Sequence, residues 1–173
     1  MNDTFIKEII GPTDKLFPVG IVTIEDNTHK IIFKGKNMVV AGGRNYIYSL
    51  FKKMNVHLFS SVDGSETLPT LDQIRFGSGS DETKFTDTSL TAEIEDLRVS
   101  LSSKKPSESD VDNHHVLVFE NSVKLSSDLL DGDTAISEIG LFLSNGTMFS
   151  RIVIDSIPLG VETEFIIKYA LYF

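Results

Sequence analysis

Two oppositely charged residues near the carboxyl end of the chain occupy positions that a hairpin would bring together. Glu138 lies within the apolar run from Ile136 to Leu143, and Arg151 lies within the next apolar run, beyond Asn145-Gly146. An Asn-Gly pair between two such runs is the strongest short-range signal for a β-hairpin, because both turn residues tolerate positive φ. The pattern therefore predicts a hairpin that carries a carboxylate and a guanidinium.

The register across a two-residue turn decides whether these two side chains can meet. It places Glu138 opposite Val153 and Leu141 opposite Ser150. Glu138 and Arg151 are then diagonal neighbours on one face of the hairpin, within reach of each other's long side chains.

Two interpretations of this pair stay open. In the first, it is a half-exposed ion pair worth less than about 1 kcal/mol. In the second, Glu138 is buried and accepts hydrogen bonds from the backbone amides of the segment Gly77 to Gly79, which makes it a structural anchor.

That glycine-rich segment, Gly77-Ser-Gly-Ser-Asp-Glu, has the composition of a phosphate-binding loop. It lacks the third glycine of a dinucleotide fingerprint and the Gly-Lys-Ser/Thr end of a P-loop. We interpret Gly77 and Gly79 as a turn where two backbones approach closely, and we expect no cofactor.

Metal-binding and catalytic patterns are weak. His114 and His115 are adjacent, so on a strand they face opposite sides and cannot chelate one ion together. The acidic segments Asp81-Glu-Thr and Asp131-Gly-Asp-Thr lack the ligand spacing of a calcium loop. There is no Gly-x-Ser-x-Gly elbow, so we expect no metal site, no catalytic residues and no small-molecule substrate.

The elements that position these residues are mostly short β-rich runs separated by turns. Segment 89–101 fits either a helix or a strand, and polar segment 104–113, with Pro106, is predicted to be an exposed connection. The fold class predicted is mainly β, an antiparallel β-sandwich of about seven strands. The predicted strands lie at 19–24, 31–33, 71–76, 114–124, 136–143, 148–154 and 164–173.

One α-helix is predicted near residues 40–54, where apolar residues recur at three and four positions and Lys52 and Lys53 fall in the last turn. Pro12 and Pro18 suit an arm or an edge better than a central strand. We therefore divide the chain into residues 1–36, an N-terminal arm and hairpin suited to contacts between subunits, and residues 37–173, the sandwich domain.

The amino-acid composition of the chain excludes several classes of binding partner. The 173 residues carry a formal charge of −9, which argues against binding nucleic acid through its phosphates or docking on an anionic membrane. The absence of cysteine excludes disulfides and thiol chemistry. No signal peptide or membrane span is apparent, so we expect synthesis as a soluble cytoplasmic protein.

Three segments carry a family resemblance. They are Asn37-Met-Val-Val-Ala-Gly-Gly-Arg, then Ile74-Arg-Phe-Gly-Ser-Gly-Ser with Thr86-Asp-Thr-Ser-Leu-Thr-Ala-Glu93, then Ser137-Glu-Ile-Gly-Leu-Phe with Met148-Phe-Ser-Arg151. Their order resembles small β-rich virion proteins of tailed bacteriophages, found in tails, collars, baseplates and fibre-attachment regions. The resemblance covers roughly residues 37–173, and Arg98 loosely fills the place of an arginine that often follows the Leu-x-x-Glu motif.

The resemblance implies a non-enzymatic structural protein of the virion tail region, made in the host cytoplasm. Its partners would be further copies of itself, in a ring or sleeve, and other virion proteins. The alternative is a receptor- or glycan-binding β-sandwich module of a tail fibre. That alternative predicts exposed aromatic residues on loops, whereas most aromatic residues here fall within strand patterns.

Overall fold

The computed structural model describes residues 19–59, 68–101, 106–111, 114–124, 135–158 and 164–172. Three features noted in the sequence lie outside these ranges: the start of the arm with Pro12 and Pro18, the turn at Asp131–Asp133, and the last residue, Phe173.

The described chain forms nine strands and one helix, which confirms the mainly β class. The strand count is two higher than expected, and the additional strands are the fourth and fifth. The elements are β1 (Val19–Asp26), β2 (Ile31–Val39), α1 (Ala41–Phe59), β3 (Leu71–Gly77), β4 (Glu93–Ser100), β5 (Ser107–Val111), β6 (His114–Lys124), β7 (Ala135–Leu143), β8 (Met148–Pro158) and β9 (Glu164–Tyr172).

The prediction that segment 104–113 is a connection was wrong for β5. Four of its residues, Ser107 to Asp110, are polar and exposed, so no alternation of apolar and polar residues marks it as a strand. Its extended backbone comes from antiparallel pairing with β6. The ambiguous segment 89–101 forms the strand β4, which pairs with β3.

The strands form a single sheet in the order β4-β3-β7-β8-β2-β1-β9-β6-β5, and every described pairing is antiparallel. β2 connects the two halves of this sheet. It pairs with β1 between Ile31 and Asn37, but with β8 only through Met38 and Val39. The sheet therefore curls into two facing layers, as in a β-sandwich, and β2 belongs to both.

A shared core fills the space between the layers. The rings of Phe76 on β3 and Phe165 on β9 meet edge to face, with their centroids 5.9 Å apart. Alternation along β9 buries Phe165, Ile167, Tyr169 and Leu171 on the inner side. Burying each such side chain contributes about 1.5–3 kcal/mol.

β1 and β2 occupy the middle of the sheet. β2 runs without interruption through residue 36, where the sequence analysis divided the chain. The pattern of residues 19–36 resembled a separate hairpin because pairing within a hairpin is local, whereas pairing with β8 and β9 depends on distant residues.

The single predicted helix is present, but its bounds differ from 40–54. α1 begins at Ala41, after Asn37 to Val39 have completed β2, and continues to Phe59. Its first turns pack on β8, where Tyr46 meets Phe149 edge to face at 6.3 Å. No helix in the described part of the chain is long and apolar enough to cross a membrane.

Candidate functional site

Glu138 is fully buried on β7, and both of its carboxylate oxygens accept hydrogen bonds. Oε1 accepts from the backbone amides of Gly79 (3.2 Å) and Ala92 (2.7 Å). Oε2 accepts from the Thr91 amide (3.1 Å) and from Nε of Arg151 (2.8 Å). A buried carboxylate is tolerated only with such partners, so the anchor interpretation describes this residue and the half-exposed ion pair does not.

Arg151 lies 2% exposed on β8 and faces Glu138. Its Nη1 donates to Oδ2 of Asp87 at 2.7 Å. Its Nη2 lies 2.7 Å from Oε2 of Glu138 and also donates to Oγ1 of Thr91 (2.9 Å) and to the carbonyl of Asp81 (3.1 Å). The planar guanidinium therefore binds the hairpin to three residues of the segment 78–92, Asp81, Asp87 and Thr91.

Glu138, Arg151 and Asp87 form an ionic centre, and the surroundings of Arg151 and Asp87 favour the charged forms of these two residues. Burial alone would lower the pKa of Arg151, but hydrogen bonds to Asp87 and Glu138 hold it above its ordinary value. Burial alone would raise the pKa of Asp87, but hydrogen bonds from the Lys84 amide and from Arg151 bring it below its ordinary value. Asp87 and Arg151 are thus charged throughout the neutral range.

Gly77 and Gly79 allow the backbone to approach the Glu138 carboxylate. A Cβ atom at either position would lie 2.5 Å from Oε1 of Glu138, and at Gly77 it would also lie 2.6 Å from the Ala92 carbonyl. The interpretation of this segment as a close backbone approach agrees with these distances. Of the two glycines, Gly79 donates its amide to Glu138.

The turn of the β7–β8 hairpin has three residues, not the two predicted. The Gly146 amide donates to the Leu143 carbonyl (2.8 Å), and the Leu143 amide donates to the Thr147 carbonyl (2.9 Å). Gly146 has φ of 82°, whereas Asn145 is not in the positive-φ region. The Asn145 side chain instead accepts a hydrogen bond from the Thr147 amide at 3.1 Å.

A bulge restores the predicted register beyond this turn. Phe142 pairs with Met148, but Leu141 pairs with Ser150, so β8 contains one extra residue there. Glu138 consequently opposes Val153, as predicted. The predicted register near the turn was wrong by one residue, and the bulge cancels the difference before it reaches Glu138.

The start of α1 joins the same region. The Val40 amide donates to the Phe149 carbonyl (3.1 Å), and the Ala41 amide donates to the Phe85 carbonyl (2.8 Å). Gly43 packs so tightly on the Phe149 carbonyl that a Cβ atom there would collide with it. The start of α1 is therefore bonded both to the loop that contains Phe85 and to the β7–β8 hairpin at Phe149.

Sequence reasoning missed several members of the ionic centre. The Thr91 and Ala92 amides and the Asp81 carbonyl are backbone groups, which have no side-chain signature. Asp87 stands in the Thr-Asp-Thr motif, yet its spacing of 64 residues from Arg151 gives no local pattern. The order of the three resembling segments was the one signal that could have linked them.

The remaining candidates lie apart from the centre. His115 contacts Asp110 at 3.0 Å on the β5–β6 hairpin, and His29 lies 3.3 Å from Glu25. The described residues contain no group of three that could hold a metal ion. An open cleft of about 470 Å³ adjoins the centre, with a lining of Lys36, Met38, Ser80, Glu82, Thr83, Arg151, Ile152 and Val153.

The sequence matches no protein-family model, and neither a curated protein nor a solved structure matches it significantly. The fold and the site define the chain as a mainly β protein with a curled antiparallel sheet and a buried ionic centre.

Proposed function

We propose that this chain is a structural virion protein of a tailed bacteriophage, present in multiple copies in the tail, collar or baseplate region. It would act there as an adaptor or attachment platform. One observation carries the proposal: the three segments behind the resemblance converge on a single ionic centre. Segment 77–93 is bound to segment 138–151 by Glu138 and Arg151. Segment 37–44 lies next to this centre, where the Ala41 and Val40 amides donate to the backbone carbonyls of Phe85 and Phe149.

This convergence supports the resemblance because it supplies a physical reason for the three motifs to occur together. The glycines give access to the Glu138 carboxylate, and Asp87 and Arg151 complete it. Residues that hold one another in place form a structural unit, and a subunit in a mechanical assembly needs such rigid loops. The hydrogen-bonding groups of Glu138 are used within the protein, which favours a structural role for this site.

Purification of the full chain tests the proposal. Mass measurement by light scattering and negative-stain electron microscopy should reveal rings or sleeves with a constant number of subunits, alone or with virion proteins. Mass spectrometry of purified particles of the phage that encodes the chain should detect it in the tail fraction. A strict monomer under all these conditions, absent from the particles, would overturn the proposal.

The second candidate is the receptor- or glycan-binding module, and exposed aromatic residues favour it. Phe85, on the loop between β3 and β4, is 46% exposed, and Tyr48 on α1 is 69% exposed. Aromatic faces on a surface are suited to stacking against sugars or partner proteins. Glycan-array binding that Phe85→Ala abolishes, with an unchanged far-UV circular dichroism spectrum, would favour this candidate over an adaptor.

A further inference from the structure

The two ends of the nine-stranded sheet are β4 and β5. Among the described strands, β4 pairs only with β3, and β5 pairs only with β6. The outer side of each end strand therefore presents backbone amide and carbonyl groups with which a strand of another molecule could pair. A protein with two such edges can add to further copies of itself unless something opposes the contact.

β4 carries an excess of negative charge. Glu95 and Asp96 are exposed, and because they are adjacent, their side chains point to opposite faces of the sheet. Glu93, on the same strand, lies 3.0 Å from Arg98, the only basic residue of β4. Three carboxylates and one guanidinium therefore give this strand a charge of −2.

β5 carries the same charge as β4. Glu108 and Asp110 are exposed, and the strand contains no basic residue, so its two carboxylates give it a charge of −2. Asp110 contacts His115 of β6 at 3.0 Å, yet its side chain remains 84% exposed. Ser107 and Ser109 are also exposed, so residues 107–110 offer no apolar side chain to a neighbouring molecule.

We propose that these carboxylates keep copies of the chain from joining through the ends of their sheets. In each such contact, β4 with β4, β5 with β5 or β4 with β5, both strands carry an excess of negative charge. Like charges on paired strands are destabilising, and the formal charge of −9 on each copy adds to the repulsion. Contacts between copies in any assembly then lie on other surfaces of the molecule.

Reversing the charge at one end of the sheet tests the proposal, because it makes the two ends complementary. In the full chain, Glu108→Lys/Asp110→Lys makes β5 positive while β4 stays negative. This variant should self-associate about tenfold more tightly than wild type in sedimentation velocity, since opposite charges replace like charges on the paired strands. Glu95→Lys/Asp96→Lys, which makes β4 positive instead, should behave in the same way. Added salt should weaken both associations, because exposed charges are screened.

The matched control is Asp155→Lys/Glu164→Lys. These exposed carboxylates lie on β8 and β9, away from the ends of the strand order, and their reversal changes the total charge by the same amount. The control should sediment like wild type, and circular dichroism establishes that all variants are folded. End variants that sediment like wild type, or a control that associates as strongly as they do, would overturn the proposal. Neither result bears on the virion role, because the sheet ends act in the chain by itself.

Discussion

Glu138 and Arg151 form an ion pair across the β7–β8 hairpin, with Oε2 and Nη2 2.7 Å apart and side-chain exposures of 0% and 2%. Each of the two residues also has further hydrogen-bond partners. Glu138 also binds three backbone amides, and Arg151 also binds Asp87. Removing one member leaves several buried polar groups without partners, so the loss should be large.

We expect Glu138→Ala to lower the free energy of unfolding by about 3–5 kcal/mol, because a buried charge loses its partner. Glu138→Gln keeps the shape and should lower it less. Urea denaturation measures both. Glu120→Ala is the matched control, since Glu120 is 57% exposed and 3.7 Å from Lys168, and it should cost less than about 1 kcal/mol. A melting-temperature shift of only a degree or so for Glu138→Ala would contradict the anchor role.

Asp87 should make stability depend on pH. Burial would raise its pKa, but hydrogen bonds from the Lys84 amide and Arg151 lower it below the ordinary value of 3.8. A carboxyl group with a lower pKa in the folded state contributes stability above its unfolded pKa and loses it as pH falls through the folded pKa. The difference in unfolding free energy between wild type and Asp87→Asn should therefore be constant near neutral pH and shrink below about pH 4. A difference that grows on acidification would contradict this assignment.

Gly146 should tolerate a side chain sterically but not conformationally. A Cβ atom there would meet no atom of the described residues within 4 Å, yet φ is 82°. Gly146→Ala should cost about 1 kcal/mol, whereas Gly146→Asn should cost less because asparagine enters this region more readily. Differential scanning calorimetry of the two variants checks the order. Equal melting temperatures for wild type and Gly146→Ala would argue against this turn geometry.

Asn37 is 3% exposed, and among the described residues neither its side-chain nitrogen nor its side-chain oxygen has a hydrogen-bond partner. A buried polar group without a partner costs about 1–3 kcal/mol. Asn37→Leu has a similar shape and should raise the free energy of unfolding by about 1 kcal/mol. Chemical denaturation measures the change. A loss of stability in Asn37→Leu would indicate that the amide is bonded after all.

Local sequence patterns predicted much of the architecture. Alternation and turn residues predicted the hairpin of β7 and β8, and apolar spacing predicted α1, because these elements depend on neighbours in the chain. β5 was missed because it has no apolar face. The central position of β1 and β2 was missed because their outer partners, β8 and β9, lie more than 100 residues away in the sequence.

For the candidate site, residue type and register predicted that Glu138 and Arg151 are neighbours, and the glycine segment was named as a partner of Glu138 in one of the two interpretations left open. These inferences needed only side-chain period and turn position. The tertiary structure alone decided that the pair is buried. It also decided that the Thr91 and Ala92 amides donate to Glu138 and that Asp87 contacts Arg151. Such contacts depend on how distant backbone segments fold over one another, and a backbone amide is the same chemical group at almost every position.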